Sequence, residues 1–130
     1  MKKVSLAMFF IFMSHVVFAW ESSTRKTTCY TFLNHRLLNK SSCVLNGGGG
    51  VGGITTRLTV GKKQYLFETD TTNEDLPTFY YPNGNININP IDVIEYTRNP
   101  KTLKVLKENQ DTDVLFCYKT KDGKTDICHK

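Results

Sequence analysis

Six glycines fall within the seven positions Gly47 to Gly53 of the stretch NGGGGVGGITTRLTVG, and glycine loops are the usual cradle for phosphates. The chemistry of such a loop needs more than glycine. A P-loop places Lys and Ser/Thr after its last glycine and opens a helix. Here Gly53 is followed by Ile-Thr-Thr-Arg, a strand-forming run, and no lysine comes before Lys62. The spacing G-x-G-x-x-G is met from Gly47 to Gly52, but a run of glycines meets it trivially, and no βαβ unit surrounds it. Nucleotide binding is therefore not expected. What remains for Gly47, Gly48, Gly49, Gly50, Gly52 and Gly53 is backbone behaviour. Either they form a flexible loop or a bulged strand that bends a sheet, or they form a low-profile surface loop whose backbone docks into a partner.

The four cysteines, Cys29, Cys43, Cys117 and Cys128, offer redox or metal chemistry. An even count in a small exported chain points to two disulfides, and the absence of a close C-x-x-C pair argues against zinc. Asp122-Gly123 is a two-residue hairpin signal between Cys117 and Cys128. Counting outward from it sets Cys117 opposite Cys128 and Tyr118 opposite Ile127, which leaves Cys29 to pair with Cys43. No metal and no cofactor are expected.

Acid–base chemistry has few carriers. His35 falls in an expected turn and His129 at the chain's end, neither with an evident nucleophile. Glu68 and Asp70 share a strand face, as solvated carboxylates do, and Glu95 with Glu68 is the one pair that could flank a scissile bond. DTTNED (Asp70 to Asp75) and DTD (Asp111 to Asp113) lack the glycine-containing calcium loop. The expectation is a protein that is not an enzyme. Tyrosine supplies the better signal, because Tyr and Arg concentrate at interaction hot spots. Tyr30, Tyr65 and Tyr96 are expected in the core, and the pair Tyr80-Tyr81, in a segment that reads as loop, on the surface.

The elements that must position these groups follow a signal. MKKVSLAMFFIFMSHVVFA carries two lysines, an apolar run and small residues before a cleavage point after Ala19. Residues 1–19 are expected to be a secretory signal of the bacterial Sec type, leaving no integral membrane segment. The destination is the periplasm or the cell exterior. Removing Lys2 and Lys3 lowers the formal charge from +5 to +3, too mild and too scattered for a nucleic-acid stripe. Residues 20–130 are enough for one β-rich domain with a modest core.

TCYTFLNH, SSCVLN, ITTRLTV, KQYLFETD, NININ, IDVIEYT and the two arms of the cysteine hairpin read as strands. In KQYLFETD, Tyr65, Phe67 and Thr69 share a face. Asn99 as cap, Pro100 at the first position, and Leu103 with Leu106 predict one short helix near 100–108. The fold class is mainly β, or α+β: a small antiparallel sheet, sandwich or partly open barrel stapled by two disulfides. Such a plan suits an exported, non-enzymatic binding protein, an inhibitor or immunity-type protein that blocks another protein such as a cell-wall hydrolase or toxin. The glycine run and Tyr80-Tyr81 would touch the partner. A structural or accessory component of the envelope or a secretion apparatus is the alternative, and a small hydrolase the third.

Overall fold

The turn residues come at short intervals, and the chain reverses at each. A computed structural model describes residues 23–50, 52–107 and 113–130; the expected signal, residues 1–19, lies outside them. Among the described residues the strands are β1 (Ser23–Leu33), β2 (Arg36–Gly50), β3 (Gly53–Val60), β4 (Lys63–Asp70), β5 (Thr78–Pro82), β6 (Ile91–Arg98), β7 (Leu115–Thr120) and β8 (Asp126–His129). Every strand pairs antiparallel with its neighbour in sequence, and β8 returns to β1 through Cys29↔His129, Tyr30↔Cys128 and Thr31↔Ile127. The sheet is therefore a closed eight-stranded barrel, not the open sheet, sandwich or partly open barrel expected, because β8 pairs with β1 and leaves no free edge. No helix among the described residues is long and apolar enough to cross a membrane.

Tight turns set the registers. Asn34 and His35 both take positive φ, 49° and 64°, as a two-residue turn with the twist of its strands requires. Gly61 (φ 59°) and Gly123 (φ 74°) serve the same purpose in the β3–β4 and β7–β8 turns. Asp122 locks the last turn by accepting hydrogen bonds from Thr120 Oγ1 (2.6 Å) and the Lys124 amide (3.0 Å). The consequence is the register expected from Asp122-Gly123, with Cys117↔Cys128 and Tyr118↔Ile127. Both disulfides form as expected, Cys29–Cys43 and Cys117–Cys128.

An eight-stranded barrel has an interior that side chains can fill. Leu58, Tyr65, Phe67, Tyr80, Ile127 and the Cys29–Cys43 bridge fill it, and Phe67 is wholly buried. The face of Tyr65, Phe67 and Thr69 turns inward, as the alternation in β4 predicted. A second cluster lies outside the wall: Tyr30, Phe32, Leu115 and the Cys117–Cys128 bridge, with Leu103 and Tyr96 packed against it.

Leu103 belongs to the segment expected to be a helix, and no helix forms there. Asn99 does cap, accepting from the amides of Lys101 (2.8 Å) and Thr102 (3.0 Å), and Leu103 N–H reaches the Asn99 carbonyl (2.8 Å). One turn is all that follows. Leu103 takes φ 62°, the Asn99 amide donates to Lys104 O, and Val105 bridges back to Arg98. A helical nucleus is costly, and packing Leu103 onto the outer cluster outweighs its propagation. The segment becomes a strap (Asn99–Val105) across the wall; residue 108 lies outside the described residues.

The run NININ (residues 85–89) is also not a strand. Asn85 Oδ1 captures the Asn87 amide (3.0 Å), and Ile86 and Ile88 stand exposed in the β5–β6 turn. Asparagine side chains that bond the nearby backbone compete with a ladder, and here they win. The expected loop around Phe79-Tyr80-Tyr81 is instead β5.

Candidate functional site

Of the glycine run, Gly47–Gly50 lie in β2 and Gly53 in β3, and Gly52 lies in the turn between them. Gly47 pairs with Ser23 on one side and Thr56 on the other, and Gly48, Gly49 and Gly50 pair with Thr55, Ile54 and Gly53. Within the run only Gly52, at φ 94°, takes the left-handed conformation that favours glycine. The β-branched residues of β3 provide the partner strand, and bare backbone completes the ladder. A Cβ placed on Gly48 or Gly50 would meet nothing within 4 Å, and one on Gly47 only Ser23 Oγ at 3.7 Å. Neither backbone conformation nor internal packing requires glycine at 48 or 50.

Residues in register across a sheet share a face. One row runs Gly48↔Thr55↔Glu68↔Phe79, and the next runs Asn46↔Arg57↔Leu66↔Tyr81. Both face outward, because the neighbouring row, Leu45↔Leu58↔Tyr65, faces the core. The register thus joins the glycine strand and Tyr81, far apart in sequence, on one patch about 14 Å wide at roughly 4.8 Å per strand.

Tyr80 is not on that patch. It points inward, 5 % exposed, with its ring 5.3 Å from Phe67 and 6.4 Å from Tyr65. The expected surface pair is split by the strand's alternation: Tyr80 is core, and Tyr81 is half-buried on the outside. Burial, reinforced by the charge of Glu68 and a hydrogen bond with it, raises the Tyr81 phenol above its ordinary pKa. Leu66 lies between Arg57 and Tyr81 in the outward row yet is only 4 % exposed. Arg57 Nε is shielded from solvent without a hydrogen-bond partner.

Sequence reasoning missed Arg57, Leu66 and Phe79. A two-residue turn at Gly61-Lys62 already implies Arg57↔Leu66. Their alignment with β5 carried no signal, because that segment reads as loop.

The barrel mouth beside β6 and β7 holds the other polar groups. An open depression of about 440 Å³ is lined by Glu95, Thr97, Leu106, Phe116 and Tyr118. Tyr118 stacks on Phe67 with centroids 4.4 Å apart. Glu95 remains exposed at the mouth, but the walls around it desolvate its carboxyl in part and raise it above the ordinary range, while a hydrogen bond from Thr78 opposes the shift. Glu68 lies in an outward row and Glu95 on the lumen side of β6, with Val93, so the one carboxylate pair considered for hydrolysis is divided by the wall.

His129 was expected at a loose chain end. It is buried in β8, its ring 5.6 Å from Phe116 and 6.0 Å from Tyr118. Burial lowers its pKa below the usual imidazole value, with a smaller push from Arg25 and an opposing hydrogen bond with the Lys130 carbonyl. His35 is exposed in its turn. The outward patch can offer an aromatic ring, a guanidinium and an unobstructed backbone strand to another molecule; the mouth can offer a single carboxyl among aromatic rings. Comparison of the chain with protein-family models, with curated proteins and with solved structures found no match.

Proposed function

We propose that this chain is an exported, non-enzymatic binding protein that blocks another protein, such as a cell-wall hydrolase or toxin, through the outward face of β2–β5. The observation that carries the reading is the register that sets Gly48 in line with Phe79 and beside Arg57 and Tyr81. Tyr and Arg supply most interface energy in partly enclosed positions. A glycine strand beside them lets a partner's backbone approach without side chains intervening. The filled interior supports a surface rather than a luminal site, and two disulfides suit an oxidising compartment such as the periplasm.

The test is affinity capture from envelope extract with the mature, oxidised protein. One stoichiometric partner is expected, its affinity falling by roughly 30-fold (about 2 kcal/mol) or more on Tyr81→Ala. Gly48→Tyr should abolish capture while leaving the thermal midpoint unchanged, since space is open there. A partner that binds Gly48→Tyr as tightly as the parent chain rejects this face. Turnover of glycan or peptide substrates, lost in Glu68→Gln, would support the hydrolase instead.

A further inference from the structure

In an antiparallel barrel that follows sequence order, the turns β1–β2, β3–β4, β5–β6 and β7–β8 all lie at one end. That end has a composition the binding face does not explain. At the β1–β2 tip Leu33, Leu37 and Leu38 are 45 %, 43 % and 64 % exposed, beside Arg36. Leu38 has no cross-strand partner, because Phe32 pairs with Leu37 and Thr31 with Asn39. This bulge re-aims the side chain, as bulges do. At the β5–β6 turn Ile86 and Ile88 are 70 % and 44 % exposed.

The two intervening turns are basic. Lys62 and Lys63 stand exposed at β3–β4, and Lys121 and Lys124 at β7–β8. The exposed carboxylates near these four turns are Asp92, paired with Lys121 at 3.2 Å, and Asp122, which accepts from Thr120 and Lys124 within its own turn. Around the ring the order is therefore apolar, basic, apolar, basic.

Scattered exposed aliphatics need no explanation. Here five lie on two turns of one end, between turns whose lysines outnumber the nearby carboxylates, whereas exposed Ile54 and Leu76 at the other end are close in sequence or register to the acidic β4–β5 turn of Glu74 and Asp75. The alternation spans the whole end of the barrel rather than one groove. A single protein ridge would meet one sector of that ring. A plane of phosphate headgroups over acyl chains meets all four, taking the aliphatic tips at its boundary and the lysines at its phosphates.

We propose that this end of the barrel docks on an anionic lipid surface. The docking is peripheral, with Leu37, Leu38, Ile86 and Ile88 entering the headgroup boundary and Lys62, Lys63 and Lys124 facing phosphate. It is a different surface from the protein-blocking face, whose rows lie on the side of the barrel and reach this end only at Tyr81, beside the β5–β6 turn.

The experiment is flotation of the mature, oxidised protein with vesicles of phosphatidylglycerol and phosphatidylcholine, against phosphatidylcholine alone. Binding to the anionic vesicles is expected, falling as salt rises. Replacing Lys62, Lys63 and Lys124 by Gln should weaken it about fivefold per lysine. Leu37→Ser with Leu38→Ser should weaken it as well, at an unchanged far-UV spectrum, these residues being exposed. Lys26→Gln with Lys130→Gln, at the other end, and Gly48→Tyr, on the side face, should bind vesicles like the parent. Failure to float with anionic vesicles at low salt overturns the proposal. So does flotation that neither the lysine nor the leucine variant reduces. Self-association lost in Leu38→Ser, without vesicle binding, would assign the surface to a second copy of the chain and reject lipid.

Discussion

The two disulfides staple opposite faces of one wall, and the clusters around them are held by different physics. Cys29–Cys43 lies inside, among Leu58, Phe67, Tyr80 and Ile127, where closure of the barrel provides the cover. Cys117–Cys128 lies outside, with Tyr30, Phe32 and Leu115, where the barrel provides none. The strap Asn99–Val105 covers it, and the strap is tied down by polar groups. Arg98 lies 3.9 Å over the Phe32 ring, donates to Leu103 O at 2.9 Å and to Tyr96 Oη, and pairs with buried Asp126 at 3.5 Å. The Tyr96 hydroxyl in turn donates to Asp126. Apolar volume holds the inner face, and a buried ion pair holds the outer.

The strongest way to break that contrast is to remove one anchor from each side. Phe67→Ala should cost about 3–5 kcal/mol through lost burial and a cavity. Arg98→Ala should cost a similar 3–5 kcal/mol, because it strands Asp126 without a counter-charge. Chemical denaturation measures both, and the second replacement separates the mechanisms. Arg98→Met with Asp126→Leu should recover most of the loss, since apolar groups can replace a buried pair. No partner substitution should recover Phe67→Ala in this way. A double variant as unstable as Arg98→Ala would show that the strap, not the charge, sets the cost.

Next come the bridges. They close loops of similar length, with separations of 14 and 11 residues, so chain entropy alone gives each about 3 kcal/mol. Replacing each pair by alanine tests whether the faces are equal. A larger loss at Cys117–Cys128, with faster amide exchange at Leu103 and Leu106, would place the strap's docking under that bridge's control. Equal losses with exchange unchanged would make the outer bridge a simple staple.

The same contrast explains how much was legible in the sequence. Local signals set the β7–β8 hairpin: Asp122-Gly123 gives the turn, the turn gives the register, and the register gives the disulfide. The inward face of β4 was legible from its period of two. The strap was not, because Asn99, Pro100, Leu103 and Leu106 fit a helix, and what stops it is packing against Phe32, remote in sequence, with the neighbouring Arg98 side chain holding Leu103 O. NININ alternates like a strand but lacks a neighbour that outbids its own asparagines. Gly47–Gly50 had no pattern of its own and became strand because β3 and the start of β1 flank it. The candidate patch was half legible: glycine and tyrosine by type, but Arg57, Leu66 and Phe79 only by the pairing of β4 with β5, and Tyr80 was assigned to the wrong face.

Asn99 gives a smaller and more local test. Its side chain satisfies two amides at the start of the strap. Asn99→Ala should cost about 1 kcal/mol. The loss should appear first as faster exchange at Lys101 and Thr102, with the inner core unaffected. Equal deprotection of β4 amides would mean that strap and barrel unfold together.

The weakest lever is pH, and it acts on the inner face. Burial holds His129 below its ordinary pKa, so the folded chain resists protonation that the unfolded chain accepts. Between the lowered folded value and the ordinary one near 6.5, the unfolded state binds more protons, and stability must fall as pH drops through that window. Its contribution is complete above the ordinary value and is lost below the folded one. Glu95 acts with the opposite sign: partial desolvation raises its pKa, so its contribution grows as pH falls toward the ordinary carboxylate range. Denaturation midpoints across mildly acidic pH should decline for the parent chain and hold level or rise for His129→Phe, which retains Glu95 and keeps a ring beside Phe116 and Tyr118. A parallel decline in both would remove His129 as the cause and move the acid sensitivity from the inner face to another part of the barrel.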